Sequence, residues 1–190
     1  MPKLWTETIE EHRRAVHDAT LDTTAALVHE HGLPSVTMSQ IAAAAGIGRA
    51  TLYKYFPDVE AILLAWHERH VAHHLEQISA IAGRPGSPAE RLNAILGAYA
   101  QLSFHTHGPG EPELVSLLHR GDHVGEAEQQ LREIVRFVIT EAVALGDIRG
   151  DTPADELVSY CLHALSAARS LSTKVALHRL VAVTVDGLRP

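Results

Sequence analysis

An all-α fold follows from three features of this 190-residue chain. Helix-opening capping patterns recur along it, and glycine and proline separate long segments of helical periodicity. No period-2 alternation holds for the length of a strand. About nine helices are expected. Thr8-Ile-Glu-Glu11 has the capping-box pattern, and the stripe Val16, Ala19, Thr23, Ala26 and Leu27 runs from it to Gly32. Thr37-Met-Ser-Gln40 is a second capping box, opening a helix that Gly46 stops after Ala45. Gly48 caps a third, short helix to Phe56, where Pro57 ends it. Asp58 caps a long fourth helix to about Ala82, with Glu60 in its first turn. Ser87-Pro88-Ala-Glu90 starts a fifth, which reaches about Thr106 before the breaker GPGEP. Further helices are expected over about 112–119, 126–145, 153–171 and 174–188.

Composition narrows the class. Apolar residues make up 46% and charged residues 21%, the balance of a globular protein rather than a disordered one. No apolar run is long enough to span a membrane, and residues 1–20 lack a signal-peptide layout, so a cytoplasmic protein without a membrane partner is expected. The single cysteine, Cys161, fits a reducing compartment. A net charge of −7 opposes general attraction to nucleic acid but leaves any one face open.

One segment does carry such a face. Two short helices meet at the Gly46-Ile-Gly48 turn, the layout of a helix-turn-helix, whose helices must cross closely. Ala42, one turn before Gly46, is small enough to admit the second helix. Ile41, Ala45, Ile47 and Leu52 supply the small core between them, and Gly46 can adopt the left-handed conformation of the turn. What remains outward on the helix from Gly48 to Phe56 is Arg49, Ala50, Thr51, Tyr53, Lys54 and Tyr55. A DNA major groove admits a helix, and phosphates accept hydrogen bonds from hydroxyls and cations. Residues 33–57 hold Arg49 and Lys54 and no acid, whereas residues 1–32 sum to −3. So few cations imply dependence on hydroxyl, amide and helix-terminus contacts, with Lys3, Arg13 and Arg14 available from the first helix.

The stretch VTMSQIAAAAGIGRATLYKYFPDVEAIL, residues 36–63, resembles the N-terminal signature of TetR-family transcriptional regulators, and the match covers about residues 10–66. The resemblance implies a DNA-binding domain over 1–57 and a ligand-binding and dimerisation domain over 58–190. It implies that Thr37 caps the first helix of the motif and that Gln40 contacts the DNA backbone. Arg49, Ala50 and Thr51 would then face the bases, with Tyr53, Lys54 and Tyr55 on phosphates or bases and the cap residue Gly48 also in the DNA-binding set. Three positions depart from the family pattern: Gly48 for a commoner serine cap, Tyr55 for a common histidine, and Val59 where a lysine often reaches DNA.

The rest of the chain agrees with the family in helix number and length. Its last two helices are apolar over more than one face, so each can be buried on two sides. The resemblance implies a four-helix homodimer interface from them, through Leu157, Cys161, Ala164, Leu165, Ala168, Leu177, Leu180, Val181 and Thr184. Trp66, His70, Tyr99, Leu102, Phe104, His105, Leu118 and Phe137 are candidates to line a pocket for an unidentified small molecule. His67, His70 and His74 share one face of the fourth helix, yet no carboxylate set stands in register, so no metal and no cofactor is assigned. No nucleophile–base pair and no paired Glu-x-x-His motif supports an enzyme. The expected function is a ligand-released, most simply repressing, regulator that binds a palindromic double-stranded DNA operator as a homodimer. A metal-responsive regulator using the histidines, or an adaptor that has lost DNA binding, are the alternatives.

Overall fold

The computed structural model describes residues 3–105 and 122–190, with side chains described over 10–104 and 124–190. The described residues form eight α-helices and no strand: α1 Lys3–His31, α2 Met38–Ala44, α3 Arg49–Tyr55, α4 Val59–Ala82, α5 Pro88–His105, α6 Asp122–Ala144, α7 Ala154–Ser166 and α8 Lys174–Asp186. Short 3-10 turns follow α1 at Leu33–Ser35 and α7 at Ala167–Ser170. The all-α expectation holds; the helix expected over 112–119 lies outside the described residues.

Local chemistry explains most of the boundaries. Thr37 Oγ1 accepts from the Gln40 N–H at 3.3 Å, and the Thr37 N–H donates to Gln40 Oε1 at 2.8 Å, so the capping box that opens α2 is closed in both directions. Such a cap contributes on the order of 1 kcal/mol. At the other end Gly46 has φ +69°, the Ile47 N–H reaches Ala42 O at 3.0 Å and the Gly46 N–H reaches Ala43 O at 3.2 Å. That pair of bonds is a Schellman motif, and it needs the left-handed glycine. Asp58 Oδ1 accepts from the Ala61 N–H at 2.8 Å ahead of α4. Ser87 and Glu90 form a third reciprocal box at α5.

Two sequence expectations are corrected. Helix α1 begins at Lys3, so Thr8 lies inside it rather than at its start. No breaker stands between Lys3 and Thr8, and a capping pattern starts a helix only where the preceding backbone leaves the helical region. The buried stripe of α1 is Thr20, Leu21, Thr24 and Val28, while Ala19 and Ala26 are exposed. Threonine can face the core there because its hydroxyl is satisfied locally: Thr20 Oγ1 donates to Val16 O and Thr24 Oγ1 to Thr20 O, each at 2.8 Å.

The chain divides into two compact units, one running to Val71 and one beginning at Ala72 and resuming at Gly125 to Pro190. The first has a core of Leu21, Val28, Val36, Met38, Ile41, Ala42, Leu52, Phe56, Ile62 and Leu63. Of the four consecutive alanines only Ala42 is buried, and Ala43 and Ala44 are exposed. Ala42 therefore does the close packing expected of it. The second unit packs α5, α6, α7 and α8 around Ile95, Leu96, Val135, Ile139, Cys161 and Leu165. Within it Arg91 donates to Ala82 O at 2.6 Å and to Glu141 Oε2 at 2.8 Å, tying the end of α4 to α5 and α6.

Candidate nucleic-acid interface

The surface of α3 is built by its single buried side chain. Leu52 is fully enclosed and Phe56, the residue that ends the helix, is 7% exposed. With these two inward, Arg49, Ala50, Thr51, Tyr53, Lys54 and Tyr55 are all exposed. Tyr53 and Tyr55 retain 48% and 36% of their surface, high for aromatic side chains that could have been core. Gly48 is the N-cap and makes no side-chain cap bond; its carbonyl accepts from the N–H groups of Thr51 and Leu52 at 2.9 and 3.0 Å. The serine hydroxyl more usual there is absent, so backbone alone starts the helix.

Thr37 and Gln40, at the start of α2, are also exposed. Their mutual hydrogen bonds hold them in place, and the cap uses only the oxygen of the Gln40 amide. Among the described residues neither Arg49 nor Lys54 enters an ion pair, and residues 33–57 contain no carboxylate. Two acids of α1 are engaged elsewhere. Arg69 of α4 bridges Asp18 at 3.2 Å and Asp22, joining the two helices that flank the motif. His17 lies against the Phe56 ring, centroids 5.2 Å apart. The Arg69 bridge was not anticipated, since arginine and aspartates 47 and 51 residues apart carry no local signal.

The other candidate residues fall into separate groups. Trp66 packs against the first unit's core, with the His70 ring 4.2 Å away. Tyr99, Leu102 and Phe104 pack against the second unit's core. Phe137 is 58% exposed, on the outer side of α6. Leu118 and the side chain of His105 lie outside the described residues. No three His, Cys, Asp or Glu side chains converge on a metal-sized site among the described residues. His73 is paired with Gln77 at 2.9 Å.

Leu157, Cys161, Leu165, Ala168, Leu177 and Thr184 are buried within this chain's own core, and Ala164, Leu180 and Val181 are partly buried. Burial pushes the Cys161 thiol up to about 12. The large apolar side chains that α7 and α8 leave exposed are Tyr160, Val175 and Val183. Tyr160 lies so close to Gly187 that a side-chain carbon there would overlap its hydroxyl.

A capped helix, a glycine turn and a second helix with an acid-free, hydroxyl-rich and cationic outer face define a helix-turn-helix protein. The family model for "Bacterial regulatory proteins, tetR family" matches residues 21–66, which hold the whole motif. The HTH-type transcriptional regulator BetI of Brucella anthropi is 35% identical over 131 residues, 62% of this chain and 64% of BetI, so the match spans less than two thirds of that relative. The fatty acid metabolism regulator protein of Bacillus subtilis is 22% identical over 144 residues, 72% of this chain and 73% of that protein. Among solved structures, a TetR/AcrR-family regulator from Thermobifida fusca superposes with a TM-score of 0.73 at 22% identity, covering 92% of this chain and 98% of that one. FadR of Bacillus subtilis in complex with stearoyl-CoA does so with a TM-score of 0.64 at 17% identity, covering 90% and 98%. Residues 21–66 thus match the DNA-binding region of the TetR family of bacterial regulatory proteins, and the chain shares the fold of TetR-family regulators of known structure.

Proposed function

We propose that this protein represses transcription by binding a palindromic operator as a homodimer and that a small molecule releases it. The observation that carries the DNA-binding part is the outer face of α3: two unpaired cations, three hydroxyls and no acid, within a chain of net charge −7. A chain that acidic has little reason to keep one segment free of carboxylates unless that segment meets an anion. Each protomer places α3 in one major groove, with Thr37 and Gln40 at the adjoining backbone, and the protein works in the cytoplasm. Two-fold pairing through the outward surface of α7 and α8, where Tyr160, Val175 and Val183 stand exposed, presents two such helices to one palindrome.

Release rests on α4, which three residues separate from α3 and whose residues belong to both units. An effector bound in the second unit and favouring one setting of α4 changes the spacing of the paired α3 helices. A differential affinity of about 1–3 kcal/mol between the two settings is typical of such coupling. The stearoyl-CoA held by the Bacillus subtilis protein of the same fold supports a small-molecule effector as a class.

The test is selection of bound duplexes from a random pool by the purified protein, read by sequencing. Enrichment of a palindrome is the expected result; a folded protein that enriches nothing contradicts the proposal.

A further inference from the structure

Resting on that reading, we propose that Lys54 is the main base-reading side chain of α3 and that it selects guanine. Leu52 sets the inward direction of the helix. At about 100° per residue, Lys54 and Ala50 each lie about 160° from Leu52, on either side of the outward pole. Thr51 and Tyr53 lie about 100° away, and Arg49 and Tyr55 only about 60°. Burial of Phe56 tilts the inward direction further toward its own side, which moves the outward pole onto Lys54. The tyrosines' partial cover, leaving 48% and 36% exposed, agrees with flanking places.

The residue at the pole of a helix seated in the major groove faces the floor of the groove, and those at about 60–100° face its phosphate walls. The chemistry at the pole is a flexible ammonium with no carboxylate in residues 33–57 to neutralise it, one turn from the methyl group of Ala50. An ammonium pairs with O6 and N7 of guanine, and a methyl group packs on the C5-methyl of thymine. The half-site should therefore contain a guanine opposite Lys54 and a thymine within a base pair or two of it. Arg49, set to one side, serves as a phosphate contact that positions the helix without reading sequence.

The experiment repeats the random-pool selection with the wild type and with Lys54→Ala, Lys54→Gln, Lys54→Arg and Arg49→Ala. Lys54 is exposed, so these variants fold; circular dichroism confirms it. Wild type and Lys54→Arg should select guanine at one position of each half-site, by about 5- to 150-fold over other bases. Lys54→Ala should lose the preference at that position alone, and Lys54→Gln should move it to adenine, which a glutamine amide pairs with. Arg49→Ala should weaken all sequences alike and lower the salt slope of binding by about one. The proposal is overturned if Lys54→Ala weakens every sequence equally and leaves each preference intact, as a phosphate contact would. A wild type that selects no sequence overturns the DNA-binding reading itself.

Discussion

Cys161 shows how a residue's surroundings decide its chemistry. It is fully buried between α7 and the second unit's core, and loss of hydration raises its thiol to about 12. Because the thiolate is the reactive form, the native protein should stay unlabelled by a thiol reagent at pH 8 and react once urea unfolds it. The sign follows from the raised value: a thiol of ordinary acidity would label in the folded state, and rapid native labelling would contradict the burial. The same burial explains why Cys161, Leu165 and Leu177 could not be told from interface residues by sequence. Both roles need an apolar side chain at helical spacing, and only the neighbouring helices decide which face of α7 and α8 is enclosed. Lys54 and Tyr53, by contrast, were legible as surface. They follow a buried leucine on a helix only seven residues long, bounded by Gly48 and Pro57.

The elements were most readable where a backbone rule is strict. The Thr37–Gln40 box and Gly46 set both ends of α2 as expected, because each satisfies hydrogen bonds no other local arrangement can. The start of α1 was misread because its capping pattern occurs within a helix that had already begun. Contacts distant in sequence were the least readable, and the Arg69 bridge from α4 to Asp18 and Asp22 of α1 is the clearest case. It fastens α4 to α1 just before the helix leaves the first unit. Arg69→Met should lower stability by about 0.5–1.5 kcal/mol in dilute buffer, since the partners are partly exposed. Urea midpoints would check this, and the gap to wild type should shrink in 1 M salt, where the screening length falls to about 3 Å. A gap unaffected by salt would mean that packing of the arginine stem, not charge, holds the two helices.

For the whole molecule, the distribution of charge matters more than its sum. A chain of net −7 presents a segment of +2 on one short helix and engages α1 acids with Arg69, so the face offered to DNA is not the average surface. The central claim is that α3 is the surface that reads DNA. It is tested most directly by titrating a fluorescent duplex recovered by selection with the wild type and with Arg49→Ala/Tyr53→Ala, at several salt concentrations. The account predicts tight, salt-sensitive binding by the wild type. It also predicts at least about a 30-fold loss in the variant, as expected for two contacts worth about 1 kcal/mol or more each. Equal affinity of the two proteins for that duplex would contradict it.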